Sequence, residues 1–161
     1  MRLRLVTNSL AATDEPVVHV GYAHYRRALF GVNMEIDELS PTLAARELGP
    51  ELPEATTAAI HMKIIFFDRT SVFVGSMNLD GRSEQYNTEV GVMIRSPELT
   101  SQLLSLFDFE PSSYRVELDA DGQLRWTSRQ SEVVYRSDPE AGAMRMLGAG
   151  IMGLAIPRDW L

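Results

Sequence analysis

The chain contains no cysteine, which excludes disulfides and thiolate metal sites. Histidine is scarce: there are three in 161 residues, too few for a dedicated histidine-rich metal centre. Basic residues are outnumbered, with 15 Lys and Arg against 22 Asp and Glu, and the net charge of −7 gives no general basic surface to draw nucleic acid. Apolar runs are short. None reaches the 18 or more residues of a membrane-spanning helix, and the opening Met1-Arg2-Leu3-Arg4-Leu5 loses its apolar character at Thr7, so no signal peptide is visible. What remains is ordinary globular composition, 45% hydrophobic and 23% charged, in a length that normally forms a single domain, here taken as 1–161. The first strand begins almost at once, which suggests a piece of a longer protein.

The densest group of polar residues in apolar sequence is Ile60–Asn78, IHMKIIFFDRTSVFVGSMN. A period of two predicts a strand over Ile60–Phe67, a turn at Asp68–Ser71 and a second strand over Val72–Asn78. Both strands are apolar on both faces, as in a sheet covered on each side. His61 and Lys63 share one face, Ser76 and Asn78 another, with Gly75 at a point of close approach. In an in-register antiparallel hairpin, an imidazole, an ammonium, a hydroxyl and a carboxamide converge near its open end, a set able to bind a phosphate and attack it. Taken singly, His61 and Lys63 read as readily as an edge residue and a snorkelling cation. The spacing argues for more: His61-x-Lys63, four residues, Asp68, six residues, Gly75-Ser76-x-Asn78.

Before this hairpin, Arg2–Val6 reads as a strand. Asn8 and Ser9 follow its end, where open α/β sheets place ligands, although both suit a plain turn. Asp14-Glu15-Pro16 starts a helix that runs to about Leu29, with Val18, Tyr22, Tyr25 and Leu29 as core stripe and Gly31 as stop. His19 and His24 on that helix read as surface or boundary residues. Met34–Leu39 is the next strand, so Arg2–Leu39 forms a strand–helix–strand unit with a parallel pair. Ser40–Ala59 is a proline-bearing connection with one helical turn expected at Leu43–Leu48, and it suits either a lid or disorder.

After the hairpin, Leu79–Tyr86 is polar and reads as a loop or one helical turn. Thr88–Arg95 alternates as a strand, and Ser96-Pro97-Glu98 opens a helix to about Phe107. Tyr114–Leu118 and Gln123–Thr127 flank an Asp-Gly turn, and Val133–Tyr135 adds a short strand. The tail 141–161, rich in Met, Leu, Ala and Gly, is either a packed helix or an element touching lipid.

The His-Lys-Asp spacing, followed by Leu79-Asp80-x-Arg82-Ser83 and Asn87-x-Glu89, resembles the signature of the phospholipase D superfamily, most closely the C-terminal half of bacterial cardiolipin synthases and related phosphatidyltransferases. Leu5–Ala11 and the Gly21-Tyr22…Tyr25-Arg26 helix resemble that half too. Met62 departs from it, standing where the family usually has a small residue. The resemblance implies an α/β fold: a mixed β-sheet with helices packed on both faces, carrying one His-Lys-Asp motif. It implies phosphatidyl transfer through a phosphohistidine, favoured as cardiolipin synthesis from a phosphatidylglycerol-like phospholipid. Hydrolysis, a small dimeric nuclease on the same fold, or an inactive half-enzyme are the alternatives.

In that reading His61 is nucleophile or leaving-group acid, Lys63 and Asn78 hold phosphate, Ser76 assists, and Glu89 hydrogen-bonds the far nitrogen of His61. Asp68 lies on the other face by parity and is structural. Arg82 pairs with Asp68 or with the lipid phosphate. The chemistry needs no metal or cofactor. It does need two histidines, and the motif occurs once. The second comes either from a homodimer or from a missing N-terminal half that carries its own motif. The resemblance further implies a cytoplasmic protein in peripheral contact with the inner membrane.

Overall fold

A computed structural model describes residues 1–49, 51, 53, 56–78, 83 and 86–155. The fold is mixed α/β, with a mixed five-stranded sheet, a three-stranded sheet and four helices among the described residues. The chain forms two compact units, one from residues 1–60 and the stretch beginning at Phe109, the other from His61–Asp108.

The first unit is built on β1 (Leu3–Asn8), α1 (Pro16–Gly31) and β2 (Met34–Leu39). β1 and β2 run parallel, from Leu3 opposite Met34 to Asn8 opposite Leu39. β1 extends two residues beyond the expected Val6, because Thr7 and Asn8 continue the ladder. Three further strands, β6 (Ser113–Leu118), β7 (Leu124–Ser128) and β8 (Val134–Tyr135), add antiparallel beside β2 in the order β1-β2-β6-β7-β8. The Asp-Gly turn between β6 and β7 forms as expected: Gly122 takes φ 72°, and the Asp119 carboxylate accepts from the amides of Asp121 and Gln123 at 3.0 and 2.8 Å. Ile36, Tyr114, Val116 and Trp126 form the core, with Tyr22, Leu29 and Met34 packed on it.

The expected core stripe of α1 is displaced. Val18 and Tyr25 are exposed, whereas His19, Val20, Gly21 and Arg26 are buried. The cause is a polar network beneath the helix. Glu38, fully buried on β2, accepts from the Tyr22 hydroxyl at 2.9 Å and from Trp126 Nε1 at 2.7 Å. Arg26 Nε lies 3.1 Å from the same carboxylate, off the N–H axis, and its guanidinium sits 5.1 Å from the Tyr22 ring centre and 5.2 Å from that of Trp126. Arg26 also reaches His19 Nε2 at 3.0 Å and Asp138 at 3.4 Å. His19 is therefore an interior residue, because Arg26 and Asp138 give its ring polar partners. Burial first, and then the Glu38 charge, push the Tyr22 hydroxyl far above its ordinary pKa. At the helix start the acidic cap is replaced: Glu15 makes no side-chain cap bond, and Thr13 Oγ1 accepts from the Glu15 amide at 3.2 Å.

The connection after β2 holds a full helix, α2 (Pro41–Leu48), longer than the expected turn. Its cap is Ser40, whose Oγ accepts from the Leu43 amide at 3.2 Å while donating to Glu140. Pro50, Leu52, Glu54 and Ala55 lie outside the described residues, and part of the expected lid with them.

The second unit holds β3 (Ile64–Phe67), β4 (Ser71–Gly75), β5 (Gly91–Arg95) and α3 (Pro97–Leu106), with the strands antiparallel in that order. Asp68 and Arg69 turn the hairpin with φ of 47° and 58°, and the Thr70 amide donates to the Phe67 carbonyl at 2.9 Å. Ser71 belongs to β4 and not to the turn. Ser96 caps α3 by accepting from the Leu99 amide at 3.2 Å, with Pro97 at the first helical position. Val72 is fully buried, but Ile65, Phe67, Val74 and Val92 are exposed, so the covering expected on both faces is incomplete among the described residues.

The tail forms α4 (Ala143–Ala155), which packs against α1 in the first unit. Gly153 is the tight point: a Cβ there would meet Val20 Cγ1 at 3.3 Å. Met144, Leu147, Ile151 and Leu154 lie exposed on the other side of this helix.

Candidate functional site

The strands of the central hairpin are shorter than their apolar pattern. The ladder starts at Ile64, opposite Val74, and β4 ends at Gly75. One more bond, from the Gly75 amide to the Lys63 carbonyl at 3.1 Å, carries the pairing a step further. His61 and Met62 precede this ladder, and Ser76–Asn78 follow it. Strand parity therefore does not decide which way these side chains point. Local bonds do.

Ser76 turns toward β5 instead of continuing the hairpin. Its amide donates to the Val90 carbonyl at 2.9 Å, and its Oγ accepts from the Val90 amide at 3.0 Å. The single hydroxyl proton goes to Glu89 Oε2 in a short hydrogen bond. Glu89 Oε1 accepts from Asn87 Nδ2 at 3.2 Å. Ser83, buried, has an Oγ that accepts from the Asn78 amide at 3.2 Å and lies 3.5 Å from Asn87 Nδ2.

The Ser76 hydrogen bond, chiefly, holds the Glu89 carboxyl below its ordinary pKa, helped by Ser83, Asn87 and the Lys63 ammonium. Glu89 is thus held as a carboxylate beside a cation. The sign follows: its interactions favour the fold above the ordinary glutamate pKa of 4.5 and weaken as pH falls below it.

Lys63, Ser76 and Glu89 are brought together in this way, while His61 is exposed and its ring has no hydrogen-bond partner among the described residues. Lys63 Nζ lies 3.5 Å from the His61 carbonyl oxygen, a long contact that leaves the ammonium available. The Asn78 carboxamide likewise has no partner among the described residues, its backbone alone being held by Ser83. The expected bond between Glu89 and the His61 ring is not present in this arrangement. Both Glu89 oxygens are instead engaged by Ser76 and Asn87.

Asp68 stands in the turn at the far end of β3 from His61, exposed. The close approach at Gly75 is internal. A Cβ there would lie 2.8 Å from the Phe73 ring and 2.9 Å from the Val90 carbonyl, and a Cβ on Gly91 across the ladder would collide with the same ring. Both glycines make room for an aromatic side chain. Arg82 lies outside the described residues.

Asn8 and Ser9 belong to the first unit, and their polar atoms are used there. Asn8 Nδ2 donates to the Ile60 carbonyl and Asn8 Oδ1 accepts from the Ile60 amide, both at 2.8 Å. Ser9, fully buried, accepts from the Ala12 amide at 3.2 Å. Asn87 and Ser83 received no role from the sequence. Asn87 had a usable signal, since it stands two residues before Glu89 and so on the same side of an extended chain. Ser83 gave none.

The chain is 32% identical over 174 aligned residues to cardiolipin synthase C of Escherichia coli (strain K12), a match covering 100% of this chain and 35% of that protein. It is 31% identical over 119 residues to an uncharacterized protein of Helicobacter pylori (strain J99), covering 73% of this chain and 23% of the relative. A second uncharacterized Helicobacter pylori protein, from strain 26695, is 31% identical over 117 residues, with coverage of 72% and 23%. The chain thus spans about a third or less of the length of these relatives. No solved structure matches it. The family model for the cardiolipin synthase, phospholipase D-like domain covers residues 1–109, well over half of the chain, and the chain belongs to that family.

Proposed function

We propose that this chain carries one catalytic half of a phosphatidyltransferase working through a phosphohistidine, with cardiolipin formation from phosphatidylglycerol as the favoured reaction. The observation that carries the reading is an exposed, unengaged imidazole at His61, two residues from the ammonium of Lys63, whose charge is felt by the Glu89 carboxylate.

The chemistry explains why these groups suit the task. A phosphodiester repels nucleophiles and has a poor leaving group. A neutral imidazole attacks phosphorus: an N–P bond forms, the P–O bond to the headgroup glycerol breaks, and a second, protonated imidazole gives the departing oxygen its proton. A hydroxyl of another phosphatidylglycerol then attacks phosphorus and passes its proton to the second imidazole. The N–P bond breaks, and the first imidazole recovers its electron pair. Lys63 and Asn78 bind the non-bridging oxygens as their charge shifts. With water as acceptor the same intermediate gives hydrolysis.

Two histidines are required, and they meet either when two copies of His61 face each other across a two-fold axis or when a separate half supplies the first. In the second arrangement His61 is the leaving-group acid. Contact with the bilayer is peripheral and uses the exposed apolar residues of α4. No helix among the described residues is long and apolar enough to cross a membrane.

The test is turnover of phosphatidylglycerol vesicles by the purified chain, with molar mass by light scattering and vesicle pelleting on the same preparation. Cardiolipin formation by a dimer establishes a self-sufficient enzyme. Activity that appears only on adding a first-motif half establishes the half-enzyme. No turnover and no phosphohistidine with either defeats the proposal.

Glu89 has a second role open to test. Because its carboxylate accepts the Ser76 hydroxyl hydrogen bond and feels the Lys63 charge, Glu89→Gln removes the negative charge from that network. The expected result is a turnover lower by about 10- to 100-fold with KM nearly unchanged. An unchanged kcat assigns Glu89 to the scaffold.

A further inference from the structure

Ile60, the residue before His61, is held by a side chain instead of a strand. A carboxamide presents one donor and one acceptor in a single plane, the pair that a backbone residue offers to its neighbour in a sheet. Asn8 uses both on one residue: Nδ2 donates to the Ile60 carbonyl and Oδ1 accepts from the Ile60 amide, each at 2.8 Å. The partners also fix the orientation of the amide, because the Ile60 N–H can only donate and its C=O only accept. Asn8 is itself anchored as the last residue of β1, opposite Leu39, and Ile60 is packed against the buried cluster of Ala12, Leu39 and Ala44.

The Ile60 carbonyl oxygen lies in the peptide plane that contains the nitrogen and Cα of His61. A bond that fixes this oxygen therefore fixes where the His61 Cα begins, through covalent geometry alone. We propose that Asn8 is a positioning residue for His61, acting through the Ile60–His61 peptide, and not a substrate ligand. The proposal rests on His61 being the reacting group. It explains why the end of β1 carries a carboxamide: a hydroxyl cannot span both backbone atoms, and a carboxylate cannot donate to the carbonyl.

Two variants separate the two bonds. Asn8→Ala removes both. Asn8→Asp keeps the acceptor for the Ile60 amide and loses the donor to the carbonyl, which is the bond that reaches His61. Hydrogen exchange at the Ile60 amide should accelerate at least tenfold in Asn8→Ala and stay near wild type in Asn8→Asp, with circular dichroism unchanged in both. In the preparation that turns over phosphatidylglycerol, both variants should lose kcat by about 100-fold with KM within about threefold, since a misplacement of about 1 Å at a reacting group costs that much.

A loss expressed in KM with kcat intact returns Asn8 to the substrate-binding role and overturns the proposal. So does wild-type kcat in Asn8→Ala, and so does unchanged exchange at Ile60 in that variant. His61→Ala, run in parallel, keeps the outcomes distinct. If it retains turnover, the reading of His61 has failed; if it is dead while Asn8→Ala is fully active, only the positioning role has failed.

Discussion

His61→Ala should abolish phosphatidyl transfer while the chain unfolds at the wild-type midpoint. The two halves of that expectation come from the same observation. The His61 ring is exposed and makes no hydrogen bond among the described residues, so its removal opens no cavity and strands no buried partner. Surface substitutions of that kind change stability by no more than about 0.5 kcal/mol. The chemical cost is of another order. As nucleophile, His61 forms the bond to phosphorus, and without it the covalent route is closed. As acid, it supplies the leaving oxygen with a proton, a contribution of about 10²- to 10⁴-fold. Single-turnover assay with the protein quenched in alkaline denaturant, which preserves the N–P bond, distinguishes the two: no phosphoprotein in the variant marks a nucleophile, and slow accumulation of one marks an acid. Turnover within a few-fold of wild type would remove His61 from the mechanism altogether.

The family was legible because its resemblance rests on residue types at fixed spacings, and spacing survives errors in strand length. The order of elements was legible for a similar reason. The Ser96-Pro97 start and the Asp-Gly turn each carry a local physical signal that needs no tertiary partner, and both stand where the sequence places them. What local signals could not give was direction. The pattern IHMKIIFF reads as one continuous strand, yet the ladder starts only at Ile64. The convergence expected from two-residue parity is replaced by a bend at Ser76 that turns its hydroxyl to β5, where it meets Glu89. The resemblance paired Glu89 with the His61 ring; the hydrogen bonds show Ser76 and Asn87 in that place. Asn8 is the same lesson in reverse. Its position at the end of β1 suggested a ligand contact, but the bonds go to Ile60.

The second large effect concerns stability and lies in a strand whose sequence hides it. Asp37 and Glu38 are adjacent in β2, so they face opposite sides of the sheet, and both are completely buried. From sequence alone two neighbouring acids in MEIDEL suggest at least one solvent-facing side. The structure accommodates both because arginines come from different elements: Arg4 and Arg115 bond Asp37 at 2.7 Å each, and Arg26 lies against Glu38 on the other face. Glu38 is the more exacting of the two. It is the shared acceptor for Tyr22 on α1 and Trp126 on β7, so one carboxylate ties a helix and two strands together.

Glu38→Ala leaves the Arg26 cation buried with only Asp138 and His19 near it and strips the Trp126 and Tyr22 donors of their acceptor. Breaking one partner of a buried pair costs about 3–5 kcal/mol. At about 2–4 °C per kcal/mol for a chain of this size, the midpoint should fall by roughly 6–20 °C. Glu38→Gln retains an oxygen for one donor and should lose less. Urea unfolding of the three proteins measures the series, with wild type most stable, Gln intermediate and Ala least. A loss below about 1 kcal/mol for Ala would mean that water reaches Arg26 and Trp126, and that the network does not hold α1 to the sheet.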